Sequence, residues 1–387
     1  MHDLLKLKIL PAVLLFFSCT TQAVDEPVNS TSEYDRGFTA YQHQDIATAL
    51  MLWFPLAEKG HAQAQFMLGI LYSQQDGDRF NMQRAIQWYE KAASQNHLAA
   101  QGMLGRIYLS GPETKPDFKL AAKWLTEAAR QGEPDSQYLL GRIYHLGQET
   151  KKNTGKAAYW YSQAAEQDHN LAQYTLALMY LNGDGRKKDL EKAMELLQQS
   201  ASLGNSSAQF KLGEIYRDGT KNIPVDLARA YSFFQQSAAL HNPDAENALG
   251  NFYMTGTQTA QDYKQAFDWY EKAARQNQID AVHNLGTLYA SGHGTAKNLQ
   301  LATQYFARAA QQGHGLAQMD LGVAYYTGKG VKEDSVVAYA WFSVAAGQDV
   351  PNAKKNKTAI YARLLAEDKR RATDLAAEYS KKYVRLK

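Results

Sequence analysis

Residues 104–111 read LGRIYLSG, and residues 140–147 read LGRIYHLG. Five consecutive letters are shared at a separation of 36 positions, and working outward from them settles the fold. The frame Leu-Gly-x-x-Tyr stands at Leu68-Gly69-Tyr72, Leu104-Gly105-Tyr108, Leu140-Gly141-Tyr144, Leu212-Gly213-Tyr216, Leu249-Gly250-Tyr253, Leu285-Gly286-Tyr289 and Leu321-Gly322-Tyr325. An eighth copy, Leu176-Ala177-Tyr180, keeps the frame with Ala in place of Gly. The spacing is 36 throughout, except for one step of 37 that the loop Thr220–Val225 accommodates. A fixed period of this length is the signature of a repeat architecture.

Other columns hold the same period. An aromatic residue stands at Trp88, Trp124, Trp160, Phe233, Trp269, Tyr305 and Trp341, with Leu196 the aliphatic exception. A small pair follows, as at Ala92-Ala93, Ala128-Ala129 and Ala345-Ala346. A third column is entirely Asn or Asp: Asn81, Asp117, Asn153, Asp189, Asp226, Asp262, Asn298 and Asp334.

Each column has a physical meaning. Leu68 and Tyr72 lie four apart on one helix face with Ala64 a turn earlier, so a first helix buries a stripe. Gly69 falls mid-helix, where it costs up to about 1 kcal/mol relative to Ala, and that cost is expected where another backbone approaches closely. Turn residues such as Asn182-Gly183-Asp184-Gly185 follow, and then the Asn or Asp column is placed to cap the free N–H groups of a second helix. That helix buries its aromatic residue and closes with the small pair. Each unit is an α-hairpin that can bury its faces only by stacking on its neighbours.

Taken together, A-x-x-x-LG-x-x-Y, a Gly-rich turn and D-x-x-x-A-x-x-W-x-x-x-AA resemble the Sel1-like repeat, a relative of the tetratricopeptide repeat. The resemblance implies an all-α, right-handed superhelical solenoid with eight repeats over residues 61–348. In front, 34–60 reads as a degenerate unit that keeps Trp53 and Ala57. Behind, 349–387 reads as a helical cap that gives the last unit a soluble outer face.

The N-terminus points to export. Lys6 and Lys8 precede the apolar run Ile9–Phe17, which is too short to span a bilayer and reads as a secretory signal. Two forms of processing remain open: cleavage after Ala23, or cleavage before Cys19 with lipid attached to that cysteine, making 1–23 or 1–18 the leader. Residues 24–33 read as a linker. Cys19 is the only cysteine, so no disulfide forms within the chain and stability rests on packing.

Charge argues against nucleic acid. There are 42 Lys and Arg against 39 Asp and Glu, a net +3. The balance is local, because Lys354–Lys387 holds eleven basic and four acidic residues. That tail reads as a solvated cap.

Catalytic constellations are missing from the sequence. Gly183-Asp184-Gly185, Gly292-His293-Gly294 and Gly328-Lys329-Gly330 look like pieces of a phosphate loop, but such a loop follows a strand, and these glycines instead suit turns with positive φ. The ten histidines have no HExxH or other ligand spacing, so no metal or cofactor is expected. Neither Ser-x-x-Lys nor GxSxG is present, which disfavours a β-lactam or peptidoglycan hydrolase. A polysaccharide-assembly or host-factor-binding lipoprotein is a further alternative.

What is left is surface. Positions 67 and 70 of the first full unit, and their equivalents, should face away from the Leu and Tyr stripe, and they do not repeat. In the first three units they are Met67 and Ile70, Met103 and Arg106, and Leu139 and Arg142. Apolar and guanidinium groups on the concave side of an array suit a groove for a partner peptide or helix. Family resemblance likewise implies a non-catalytic scaffold for protein partners in the periplasm or outer membrane of a bacterium.

Overall fold

A computed structural model describes residues 32–74, 80–111, 115–148 and 151–383. The leader, Cys19 and most of the linker lie outside the described residues. All the regular structure described is helical, in 20 helices. The first helices of the repeats are α3 (Ala62–Ser73), α5 (Leu98–Ser110), α7 (Pro134–Leu146), α9 (Asn170–Asn182), α11 (Ser206–Asp218), α13 (Pro243–Thr255), α15 (Ile279–Ser291) and α17 (Gly315–Thr327). Their partners are α4 (Met82–Ser94), α6 (Phe118–Arg130), α8 (Thr154–Ala165), α10 (Leu190–Ser202), α12 (Leu227–Ala239), α14 (Tyr263–Arg275), α16 (Leu299–Gln311) and α18 (Ser335–Gly347). A hairpin of α1 (Glu33–Gln42) and α2 (Ile46–Glu58) precedes them, and α19 (Ala353–Arg363) and α20 (Ala366–Tyr383) follow. The chain divides into two units, Met1–Ala193 and Met194–Lys387.

The Asn and Asp column caps the second helices, as its spacing predicts. Asn81, Asp117, Asn153 and Asp189 accept the N–H of Arg84, Leu120, Lys156 and Lys192 in the first unit. Asp226, Asp262, Asn298 and Asp334 do the same in the second. Each cap also donates its own N–H to the carbonyl of the repeat's tyrosine, as in Asn81 to Tyr72 at 2.8 Å and Asp334 to Tyr325 at 2.9 Å. One residue thereby closes the turn and starts the helix, worth about 1 kcal/mol per cap.

Two packing expectations need adjustment. Trp88, Trp124 and Trp341 are buried, but Trp160, Phe233, Trp269 and Tyr305 are only half-buried. The more uniformly buried column is one residue further on: Tyr89, Leu125, Tyr161, Leu197, Phe234, Tyr270, Phe306 and Phe342. It also explains the mid-helix glycine, which makes room chiefly for a side chain rather than a backbone. A Cβ on Gly69 would lie 2.5 Å from the Tyr89 ring, and one on Gly213 would lie 2.5 Å from Phe234. In the leading hairpin Gly37 meets the fully buried Trp53 in the same way.

Neighbouring repeats are also joined by an amide ladder. Buried Gln65, Gln101, Gln137, Gln173, Gln209 and Gln318 each donate to an alanine carbonyl eight residues earlier, as Gln65 does to Ala57 at 2.9 Å. The free oxygen then accepts from a glutamine at the end of the next second helix: Gln95 to Gln65 at 2.7 Å, Gln131 to Gln101 at 2.7 Å and Gln348 to Gln318 at 2.7 Å. The ladder breaks first at Gln173 and again at Gln209, each with its Oε1 buried and without a partner among the described residues. The residue placed to reach the Gln209 oxygen is Leu240, whose backbone (φ −95, ψ 20) matches that of Gln95 (φ −93, ψ 20). Leu240 is largely exposed, so little burial is lost on replacing it. Leu240→Gln is expected to stabilise the protein by about 1 kcal/mol, the net worth of a hydrogen bond that satisfies an orphaned acceptor. Urea denaturation reads this directly, and an unchanged or lower midpoint would refute it.

At the C-terminus, α18 is buried nearly all round, from Val336 to Ala345. Trp341 packs on Tyr379 and Tyr383 of α20, with ring centroids 4.7 and 5.3 Å away. Gln318 also donates to the Tyr383 carbonyl at 3.1 Å. The charged residues of α19 and α20 face outward, and Ala372 and Ala376 face in.

Candidate protein-binding face

The first helices carry the variable positions, and each is fixed by a cap of its own. His61, His97, His169 and His314 accept through Nδ1 the N–H of Ala64, Ala100, Ala172 and Ala317. Glu133, Asn205, Asn242 and Gln278 fill the equivalent place elsewhere. With Nδ1 as an acceptor, these imidazoles carry their proton on Nε2. There three of them meet the preceding first helix: His97 with Gln63 at 2.6 Å, His169 with Asp135 at 3.1 Å and His314 with Asp280 at 3.2 Å. Four of the ten histidines are therefore structural caps, and three of them also tie their helix to the first helix before it, while His61 stacks on Tyr34 with ring centroids 5.3 Å apart.

The six residues expected to line a groove do not share one environment. Met67 and Ile70 are 2% and 7% exposed and belong to the N-terminal core with Tyr34 and Phe38, so they are packing residues and not surface. Behind a capping hairpin, the first full repeat has no free face at these positions. Met103 is half-buried against the same core. Arg106 is committed to internal partners, with Glu133 at 3.0 Å and Asp135 at 3.3 Å. Its side chain is 34% exposed while Glu133 is 7% exposed, so reversing its charge would strand a buried carboxylate. Leu139 and Arg142 remain on the surface, half-buried on α7. Sequence reasoning passed over their neighbours Leu146 and Leu171, which are exposed on α7 and α9. The available signal was clearest at Leu146, the one leucine in a column otherwise held by polar residues such as Gln74 and Ser110.

Electrostatics on this face give a pH dependence. Burial holds His97 below the ordinary histidine range. The bond from His169 holds Asp135 below the usual carboxylate range, and Arg106 adds to it; the bond from His314 does the same for Asp280. Above about pH 6.5 His97 is neutral both folded and unfolded and costs nothing. As the pH falls through that value, the unfolded chain takes up a proton that the folded chain refuses, and stability drops. The depressed carboxylates add to the loss at lower pH, because their stabilisation is complete above about pH 4 and vanishes as they protonate in the fold. The urea midpoint is therefore expected to be flat from about pH 7 to about pH 9, below the range in which unfolded tyrosines ionise, and to fall in two stages below pH 7. Asn occupies the same cap at Asn205, so His97→Asn should remove part of the upper stage only. An identical profile for that variant would refute the assignment.

Stacked α-hairpins with constant packing columns and a variable first-helix face define a helical repeat solenoid. The Sel1 repeat profile matches residues 62–97, 98–133, 134–169, 170–205, 206–242, 243–278, 279–314 and 315–350, and the chain belongs to the Sel1 repeat family. It is similar to the structure of a protective antigen with an SLR fold, present in uropathogenic Escherichia coli strains. Identity is 30% with a TM-score of 0.60, covering 91% of this chain and 84% of that one. It is also similar to a Sel1 repeat protein from Oxalobacter formigenes, at 27% identity and a TM-score of 0.62, covering 87% of this chain and 96% of that one. No curated protein sequence gives a significant match.

Proposed function

We propose that this chain is an exported, non-catalytic scaffold of the bacterial cell envelope that holds a protein partner along the free face of its first helices. The observation that carries the reading is the division of labour within each repeat. Leu, Gly, Gln, the caps and the buried ring build the stack, whereas the outward positions of the first helices change from unit to unit and include exposed leucines beside a cation. A surface that packing leaves free, yet that carries apolar groups, suits protein recognition. Export rests on the apolar run Ile9–Phe17, and the description of the Escherichia coli relative as a protective antigen fits an exported chain.

The test is affinity capture from envelope extract with the mature chain as bait, alongside assays for β-lactam and peptidoglycan cleavage. Specific enrichment of a protein over an unrelated helical repeat bait, without turnover, is the expected result. No enrichment, or hydrolysis of either substrate, would overturn the reading. Mass spectrometry of the mature N-terminus decides the processing: an acylated Cys19 gives an anchored lipoprotein, a free Val24 gives a soluble form, and retention of residues 1–18 contradicts export.

A further inference from the structure

Helices α7 and α9 are fastened together at both ends. At one end His169 bonds Asp135 at 3.1 Å and stacks on Tyr138 with ring centroids 4.8 Å apart. At the other, His145 meets Asp184 at 3.0 Å. Between these ties runs a strip made by Leu139, Arg142 and Leu146 of α7 and by Leu171 and Leu178 of α9. Leu146 is 56% and Leu171 47% exposed. Seven residues of helix rise about 10 Å, so the strip is long enough for three or four extended residues.

Arg142 gives the strip its chemistry. One repeat earlier, Arg106 is neutralised by Glu133 and Asp135. At the positions equivalent to those two acids, Arg142 finds His169 and Leu171. Its guanidinium carbon lies 5.9 Å from the centre of the Tyr138 ring, and no carboxylate pairs with it among the described residues. A half-buried guanidinium beside an aromatic ring, with leucines on both sides, is poised for a charge-assisted bond that the chain itself does not supply.

We infer that the strip between α7 and α9 binds an extended segment of a partner protein in which an Asp or Glu side chain is flanked by apolar residues, the carboxylate resting on Arg142. A second copy of this chain is a poorer occupant, because a symmetric contact of the strip with itself brings like guanidinium groups together. The inference rests on the scaffold reading and gives the partner its chemistry.

The probe is an array of nine-residue peptides with two leucines flanking a central Glu, each paired with Gln and Lys versions and applied to the full chain. Glu peptides are expected to bind about tenfold more tightly than their Gln partners. Arg142→Gln should erase that preference while apolar binding survives, and Leu146→Asp with Leu171→Asp, both at exposed positions, should abolish all binding. Circular dichroism and melting temperature should stay near wild type in both. Absence of a Glu preference in the wild type, or its persistence in Arg142→Gln, overturns the inference. So does a self-association, measured by sedimentation, that only the leucine variants abolish, since the occupant is then a second copy. If an envelope partner is captured equally by wild type and leucine variants, the site is wrong and the scaffold reading stands; if nothing is captured by either, both fall.

Discussion

Trp124→Ala is expected to lower the unfolding free energy by about 3–5 kcal/mol, the range for truncating a large buried aromatic side chain. Leu125→Ala should cost about 2–5 kcal/mol, because Leu125 is fully buried and fills the space over Gly105. The pair belongs together because a second helix is covered on two sides. Trp124 packs into the core that includes Ile107, and Leu125 packs with Leu140 and Ile143 of the following repeat. Removing either side chain leaves a cavity that rigid stacked helices close only in part. Chemical denaturation measures both, and a neutral Trp124→Ala would mean that its column faces solvent.

The second large effect is expected at Gly294. Its φ is +69, which costs an L-residue about 1–2 kcal/mol, and a Cβ there would also lie 2.5 Å from the Tyr263 carbonyl carbon. That carbonyl belongs to the first turn of α14, in the preceding repeat. Gly292 is a useful control: its φ is +82, yet its nearest contact is the Lys297 Cβ at 3.1 Å. Gly294→Ala should therefore cost at least about 3 kcal/mol, by adding overpacking to strain, while Gly292→Ala should remain near the strain alone. Equal losses at the two positions would show that the turn, rather than its contact with the preceding repeat, sets the cost.

Glycines 183, 185, 292, 294, 328 and 330 all have positive φ, as expected of turns. The fold was legible in the sequence because its signals repeat. The Asn and Asp caps, the Gly turns and the Leu stripe recur eight times, so each unit corroborates the others. The fully buried ring column was harder to see. It adjoins another aromatic column, and a helix sandwiched between two others buries more than one stripe. The glutamine ladder was invisible to hydrophobic periodicity, since its members are polar and their burial depends on carbonyls that exist only after the hairpins stack. The candidate site was the least legible part. Whether Arg106 is free depends on Glu133, a cap 27 residues away in one unit only, and no column reveals such a pair. Met67 and Ile70 were misplaced because the hairpin in front covers them.

The working surface can be tested in living cells by placing a photo-crosslinking amino acid at position 178 in the strip and, separately, at position 275, an exposed site near the end of α14. A discrete protein adduct from position 178, and none from position 275, is the expected result. Adducts from 275 but not from 178 would contradict the assignment of binding to the first-helix face.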